Sequence, residues 1–156
     1  MHEISWLVVV IYSIPECFLV VWLGLQVINV KPSLLKLAVL SIIYGPFVYI
    51  VRKLPLPYGF HTLILTMLIV GMAVMILNVS VKKSILGIFI GVIVTLSLET
   101  LTLSIYTLIS KVSLTEIIKD PYLSIIVSMP KLITMALIGL YLKRKKKCLF
   151  NLSGSA

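Results

Sequence analysis

Five long apolar runs, the last stopping against Lys143-Arg144-Lys145-Lys146-Lys147, constrain this chain more than any other feature. They cover approximately 4–28, 34–51, 60–79, 84–109 and 122–142. Each is about 18 to 26 residues, enough for a helix rising 1.5 Å per residue to cross a hydrocarbon core of roughly 30 Å. The runs are rich in β-branched residues, which favour strand in water. In lipid that preference is overruled, because every backbone N–H and C=O must find a partner within its own segment. With 60% hydrophobic and 12% charged residues in a 156-residue chain, no water-soluble core could hide the apolar side chains. The expected fold class is therefore an all-α integral membrane protein: a bundle of about five transmembrane helices over 1–147 with a short cytoplasmic tail, 148–156.

A net charge of +9 would suggest nucleic acid as the partner of a soluble protein. Here the cations flank apolar runs, so they read as topology signals and contacts to the lipid bilayer, and nucleic acid is not expected. An odd number of spans puts the termini on opposite sides. With the carboxyl end inside, the inner segments carry Lys31, Lys36, Lys82, Lys83 and the cluster at 143–147, against Arg52, Lys53, Lys111 and Lys119 outside. That asymmetry predicts N-out, C-in in a bacterial cytoplasmic membrane. The short second run contains Gly45-Pro46 and is either a span or a re-entrant element. Met1-His2-Glu3 is not the basic start of a cleavable signal peptide. Cys17 and Cys148 lie in different compartments and lack metal-ligand spacing, so neither a disulfide nor a metal site is expected.

The connections are tight. Segments 29–33 and 80–83 read as inner turns, and Pro55 and Pro57 stiffen the outer link between Arg52 and Gly59. The longest link holds Ser113-Leu114-Thr115-Glu116, a capping-box pattern that predicts a short interfacial helix, and Asp120-Pro121 reads as the cap and first residue of the last span.

Only Glu16, Glu99 and Lys131 place charge deep in the spans. Counted along the helices they lie roughly 18, 15 and 13 Å from the outer ends of their runs, within about one turn of each other. Each costs about 2.5–3.5 kcal/mol on insertion scales, which drives it toward the bundle interior and a partner. Thr95, Glu99, Thr102 and Tyr106 follow helical spacing in span four, and Ser124, Ser128 and Lys131 do so in span five. Glu99 and Lys131 are expected to meet; Glu16 either holds a proton or shares Lys131. Two readings stand side by side: a ligand, proton or switch site, or a polar seam that only orients helices. Pro15, beside Glu16, is a candidate hinge.

Gly87 and Gly91 form a GxxxG pair suited to close helix approach, within the bundle or in a homodimer. His61 is expected at the outer interface, as an amphipathic boundary residue or a sensing residue. The sequence has no nucleophile–base arrangement, phosphate loop or paired aqueous carboxylates, so neither catalysis nor a cofactor is expected.

The stretch Arg52-Lys53-Leu54-Pro55-Leu56-Pro57-Tyr58-Gly59-Phe60-His61-Thr62, with Glu16, Glu99 and Leu114 to Tyr122, resembles the amino-terminal membrane regions of Gram-positive sensor histidine kinases. These are the sporulation-type kinases that carry a GHKL-type ATPase domain. The resemblance covers roughly 16–142 and implies signal input in a two-component system, with Arg52, Pro55, Pro57, Gly59 and His61 as an outer sensing loop. The phosphoacceptor helix and ATP-binding box of that family do not follow Lys147 here. The expectation is a signal-input module acting through a cytoplasmic kinase or ATP-binding partner. A small transport or substrate-binding subunit and a structural assembly subunit are the rivals.

Overall fold

The computed structural model describes residues 12–55, 57, 59–110 and 121–145. Their regular structure is five helices: α1 (Ile14–Val27), α2 (Leu34–Lys53), α3 (Phe60–Leu77), α4 (Val81–Ser110) and α5 (Pro121–Lys145). Among the described residues there is no strand. In α2, α3, α4 and α5, 18 or more residues are apolar enough to cross a membrane. The described part of α1 is a 14-residue apolar helix. The chain is a helical bundle of multi-pass membrane character. The interfacial helix expected at 113–116, Asp120, the side chain of Ser124, residues 4–11 and the tail with Cys148 lie outside the described residues and side chains.

Helix ends follow the charge pattern. Arg52 and Lys53 are drawn into the last turn of α2, and α5 runs past the expected Leu142 to Lys145. In both places cations sit against the negative end of the helix dipole. The exception is α4, which begins at Val81 and so takes Lys82 and Lys83 into its first turn, at the positive end of the dipole, leaving the α3–α4 link shorter than expected. The Ser84 N–H closes that turn on the Ser80 carbonyl at 2.9 Å. The α1–α2 connection opens with a Schellman turn: the Val30 N–H reaches Leu25 O at 2.9 Å and the Asn29 N–H reaches Gln26 O at 3.0 Å. Asn29 takes the left-handed conformation this requires, with φ 62°. The second run is a continuous 20-residue helix with Pro46 inside it, long and apolar enough to cross a membrane.

α1 is the hub. It packs on α4 above all, then on α5 and α2, while α3 closes the ring between α2 and α4. Its residues Val21 and Leu25 are fully buried, and Leu23 and Cys17 nearly so. The outer helix faces are apolar: Met75 and Leu108 are both 80% exposed to the surroundings, and Leu137 61%. Such faces suit a hydrocarbon solvent, which in turn gives no hydrophobic drive between helices. Close packing and interhelical polar contacts must hold the bundle.

Both are visible along α1. A side chain at Gly24 would run into the Gly87 carbonyl, and one at Gly91 into the Val20 carbonyl. The GxxxG pair thus serves contact inside the bundle, between α4 and α1. On the α5 side, Trp22 lies over Gly139, where any Cβ would strike the indole. With its amide oriented to satisfy both neighbours, Gln26 donates to Gly139 O at 2.8 Å and accepts from Trp22 Nε1 at 2.9 Å. This clasp ties α1 to α5 near the end that carries Lys31, Lys143 and Arg144.

Candidate functional site

The deep charges meet. Lys131 Nζ lies 2.6 Å from Glu16 Oε1 and 3.2 Å from Glu99 Oε2. One ammonium from α5 therefore joins carboxylates from α1 and α4, and Glu16 shares Lys131 rather than standing apart. The lysine side chain is fully buried, whereas the side chains of Glu16 and Glu99 keep 21% and 42% exposure. Pro130 precedes Lys131 inside α5 and takes a backbone donor out of that helix at the level of the cluster.

Tyr12 completes the group. Its hydroxyl donates to Glu16 Oε1 at 3.4 Å and lies within hydrogen-bonding reach of Ser128. Its ring carries the Lys131 ammonium 5.1 Å from the centroid, in cation–π range. A π-type turn over Tyr12 and Ser13 leads into α1 just ahead of Pro15, so the backbone departs from regular helix at the expected hinge. Tyr12 is not among the residues that the sequence singles out, although its position four residues before Glu16 places the two on one helix face.

Glu16 and Glu99 face an open-sided cavity of roughly 700 Å³ lined by α1, α2, α3 and α4. Cys17 and Tyr44 contribute the α1–α2 wall. Thr62 and Thr66 come from α3, and Thr95 and Thr100 from α4. Arg52, Gly59 and His61, at the α2–α3 connection, also line it. The α2–α3 connection and the deep charges, two separate candidates in the sequence, thus border one space.

The connection is built for this. Gly59 caps α3 with φ 95°, a left-handed conformation that favours glycine. The Phe60 N–H then reaches Pro57 O at 3.2 Å. His61 Nε2 sits 3.1 Å from Leu54 O. A carbonyl can only accept, so this nitrogen carries the proton and pins the start of α3 to the end of α2. Arg52 is left exposed at the cavity border, while Lys53 lies 4.4 Å from the centre of the Tyr49 ring. Pro55 and Pro57 shape the connection without lining the cavity.

Other expected members fall outside it. Thr102 and Tyr106 lie farther along α4, and the Thr102 hydroxyl bonds Leu98 O at 2.7 Å within its own helix. Thr100 and Leu103 take their places on the wall. The cavity wall from α4 is one helical stripe through Val92, Leu96, Glu99 and Leu103, with Thr95 and Thr100 at its edges, so it is centred beside the expected stripe. Ser128 belongs with Tyr12 behind the charges. Gly87 and Gly91 contribute by bringing α4 against α1. Comparison with family models, curated proteins and solved structures finds no match to this chain.

Proposed function

We propose that this chain is a membrane signal-input module, N-out and C-in in a bacterial cytoplasmic membrane. It has no catalytic role of its own and relays an outer or intramembrane cue to a cytoplasmic kinase or other ATP-binding partner. The observation that carries the reading is the cavity running from Arg52 and His61 to Glu16 and Glu99, whose shared cation belongs to α5. Any event in the cavity that changes carboxylate pairing acts on Lys131. It thereby acts on the helix that ends at Lys143 and Arg144 on the predicted inner side.

Mechanically the cluster is a three-helix junction. Breaking the longer Glu99 contact removes the ion pair between α4 and α5 and loosens their packing, while the shorter Glu16 contact holds α5 to α1. Pro130 lies within α5 and Pro15 opens α1, so two of the three helices of the junction have a weak point for a change of tilt, as α2 has at Pro46. The charge pattern supports the orientation, and the Arg52–Thr62 resemblance supports the kinase context. The GxxxG pair is occupied within the bundle, so a homodimer would use another face.

Native mass spectrometry of the endogenous protein in mild detergent tests the proposal. A stoichiometric ATP-binding partner, whose phosphorylation output changes in Glu99→Gln, is the expected result. A lone 17.4 kDa chain or homo-oligomer that moves a solute into proteoliposomes, dependent on Glu99, would replace it with transport.

A further inference from the structure

The cavity also states what kind of molecule it suits, an inference that rests on its being the input site. With all three groups ionised, one ammonium stands between two carboxylates, so the cluster keeps an excess of one negative charge. Lys131 is fully buried and the two glutamates are not, so the surplus is offered to the cavity side.

The walls are biased the same way. Thr66, Thr95 and Thr100 all line the cavity. Each hydroxyl spends its proton on the carbonyl four residues back, at 2.7, 2.8 and 2.9 Å respectively. What these hydroxyls have left for a ligand is lone pairs. Tyr44 adds an aromatic ring, a group that attracts cations at its face, while the Tyr12 ring already carries the Lys131 ammonium. At the border the sign reverses, with the exposed Arg52 guanidinium. A volume of roughly 700 Å³ lies within the usual range of small-molecule sites and far exceeds the needs of a proton or bare ion.

We propose that the cavity binds a small organic ammonium compound, its cationic head between Glu16 and Glu99, and that a zwitterionic ligand sets its anionic group at Arg52. The incoming ammonium competes with Lys131 for Glu99, the longer and more exposed of the two contacts. Occupancy therefore loosens α4 from α5, the change through which the module would signal.

A matched series of six-carbon probes tests this: hexylamine, 6-aminohexanoate, hexanoate and 1-hexanol, titrated calorimetrically into the full chain in lipid nanodiscs, with empty nanodiscs subtracted. Saturable binding of hexylamine and 6-aminohexanoate, but not of hexanoate or hexanol, is expected. Glu99→Gln should weaken both amines by about tenfold or more, the loss of one charge-assisted hydrogen bond. Arg52→Gln should weaken 6-aminohexanoate alone. Thr100→Lys, which puts a competing cation on the wall beside Glu99, should abolish amine binding and decides the matter if Glu99→Gln does not fold. Equal binding of hexanol and hexylamine, or amine binding unchanged in Thr100→Lys, overturns the site. Amine binding by a chain without an ATP-binding partner keeps the site and ends the signalling reading. A partner-bearing chain that ignores every amine does the reverse.

Discussion

Lys131 is the shared counter-ion of carboxylates from two helices, so deleting its charge removes more than two hydrogen bonds. Lys131→Met leaves Glu16 and Glu99 facing each other without a counter-ion, and breaking a buried pair from one side typically costs about 3–5 kcal/mol. A marked fall in melting temperature in detergent is the expected outcome. Restoring much of it by adding Glu16→Gln and Glu99→Gln would show that the loss came from stranded charge rather than from packing. The Gln26 clasp is a milder case. Gln26→Leu should destabilise by about 1 kcal/mol, since it removes one interhelical hydrogen bond, which in membranes averages roughly 0.6 kcal/mol, and the acceptor of the Trp22 N–H in the same helix; chemical unfolding of the pair of proteins measures it. The three charges were legible in the sequence because ionised groups are so costly in apolar runs that each one must be accounted for. Tyr12, Gln26 and Thr100 were not, because neutral polar residues are tolerated at many depths and only their neighbours distinguish one from another.

Among the helices, α1 and α4 approach until glycine is the only residue that fits. Gly24→Ala drives a methyl group into the Gly87 carbonyl, and overpacking of this kind costs about 1–3 kcal/mol because backbone cannot yield cheaply. Gly71 in α3 is the internal control, since a methyl group there would meet nothing within 4 Å. Gly71→Ala should be neutral or stabilise by up to about 1 kcal/mol through helix propensity alone. Thermal melts of the two variants side by side separate contact from propensity. Gly59 isolates a third effect: it too has open space around it, but at φ 95°. Gly59→Ala should cost about 1–2 kcal/mol for the left-handed backbone, and should shift the α3 start that lines the cavity. Helix positions were read well from the apolar runs, and their ends less so. Hydropathy falls off at the first lysine, whereas the helix continues for as long as its backbone bonds and its dipole are served, as at Lys53 and Lys145.

For the molecule as a whole, the proposed orientation makes a direct prediction. In a chain freed of Cys17 and Cys148 by serine substitution, a membrane-impermeant maleimide applied to intact cells should label Pro57→Cys and leave Ser80→Cys untouched until the membrane is opened. The opposite pattern would invert the topology. The apolar runs and the asymmetry of the cations could be read from the sequence. The cavity could not, since it belongs to four helices whose mutual arrangement no single periodicity encodes, and it joins residues as distant as Glu16 and Glu99. The wide spacing of the charged trio along the chain also sets an order of events during synthesis. Glu16 leaves the ribosome 115 residues before Lys131 and Glu99 only 32 before. At about 5–20 residues per second, the first carboxylate waits on the order of ten seconds for its counter-ion. Until α5 is made, the four earlier helices hold two deep acids and no base at that depth, so arrival of α5 is what closes the junction.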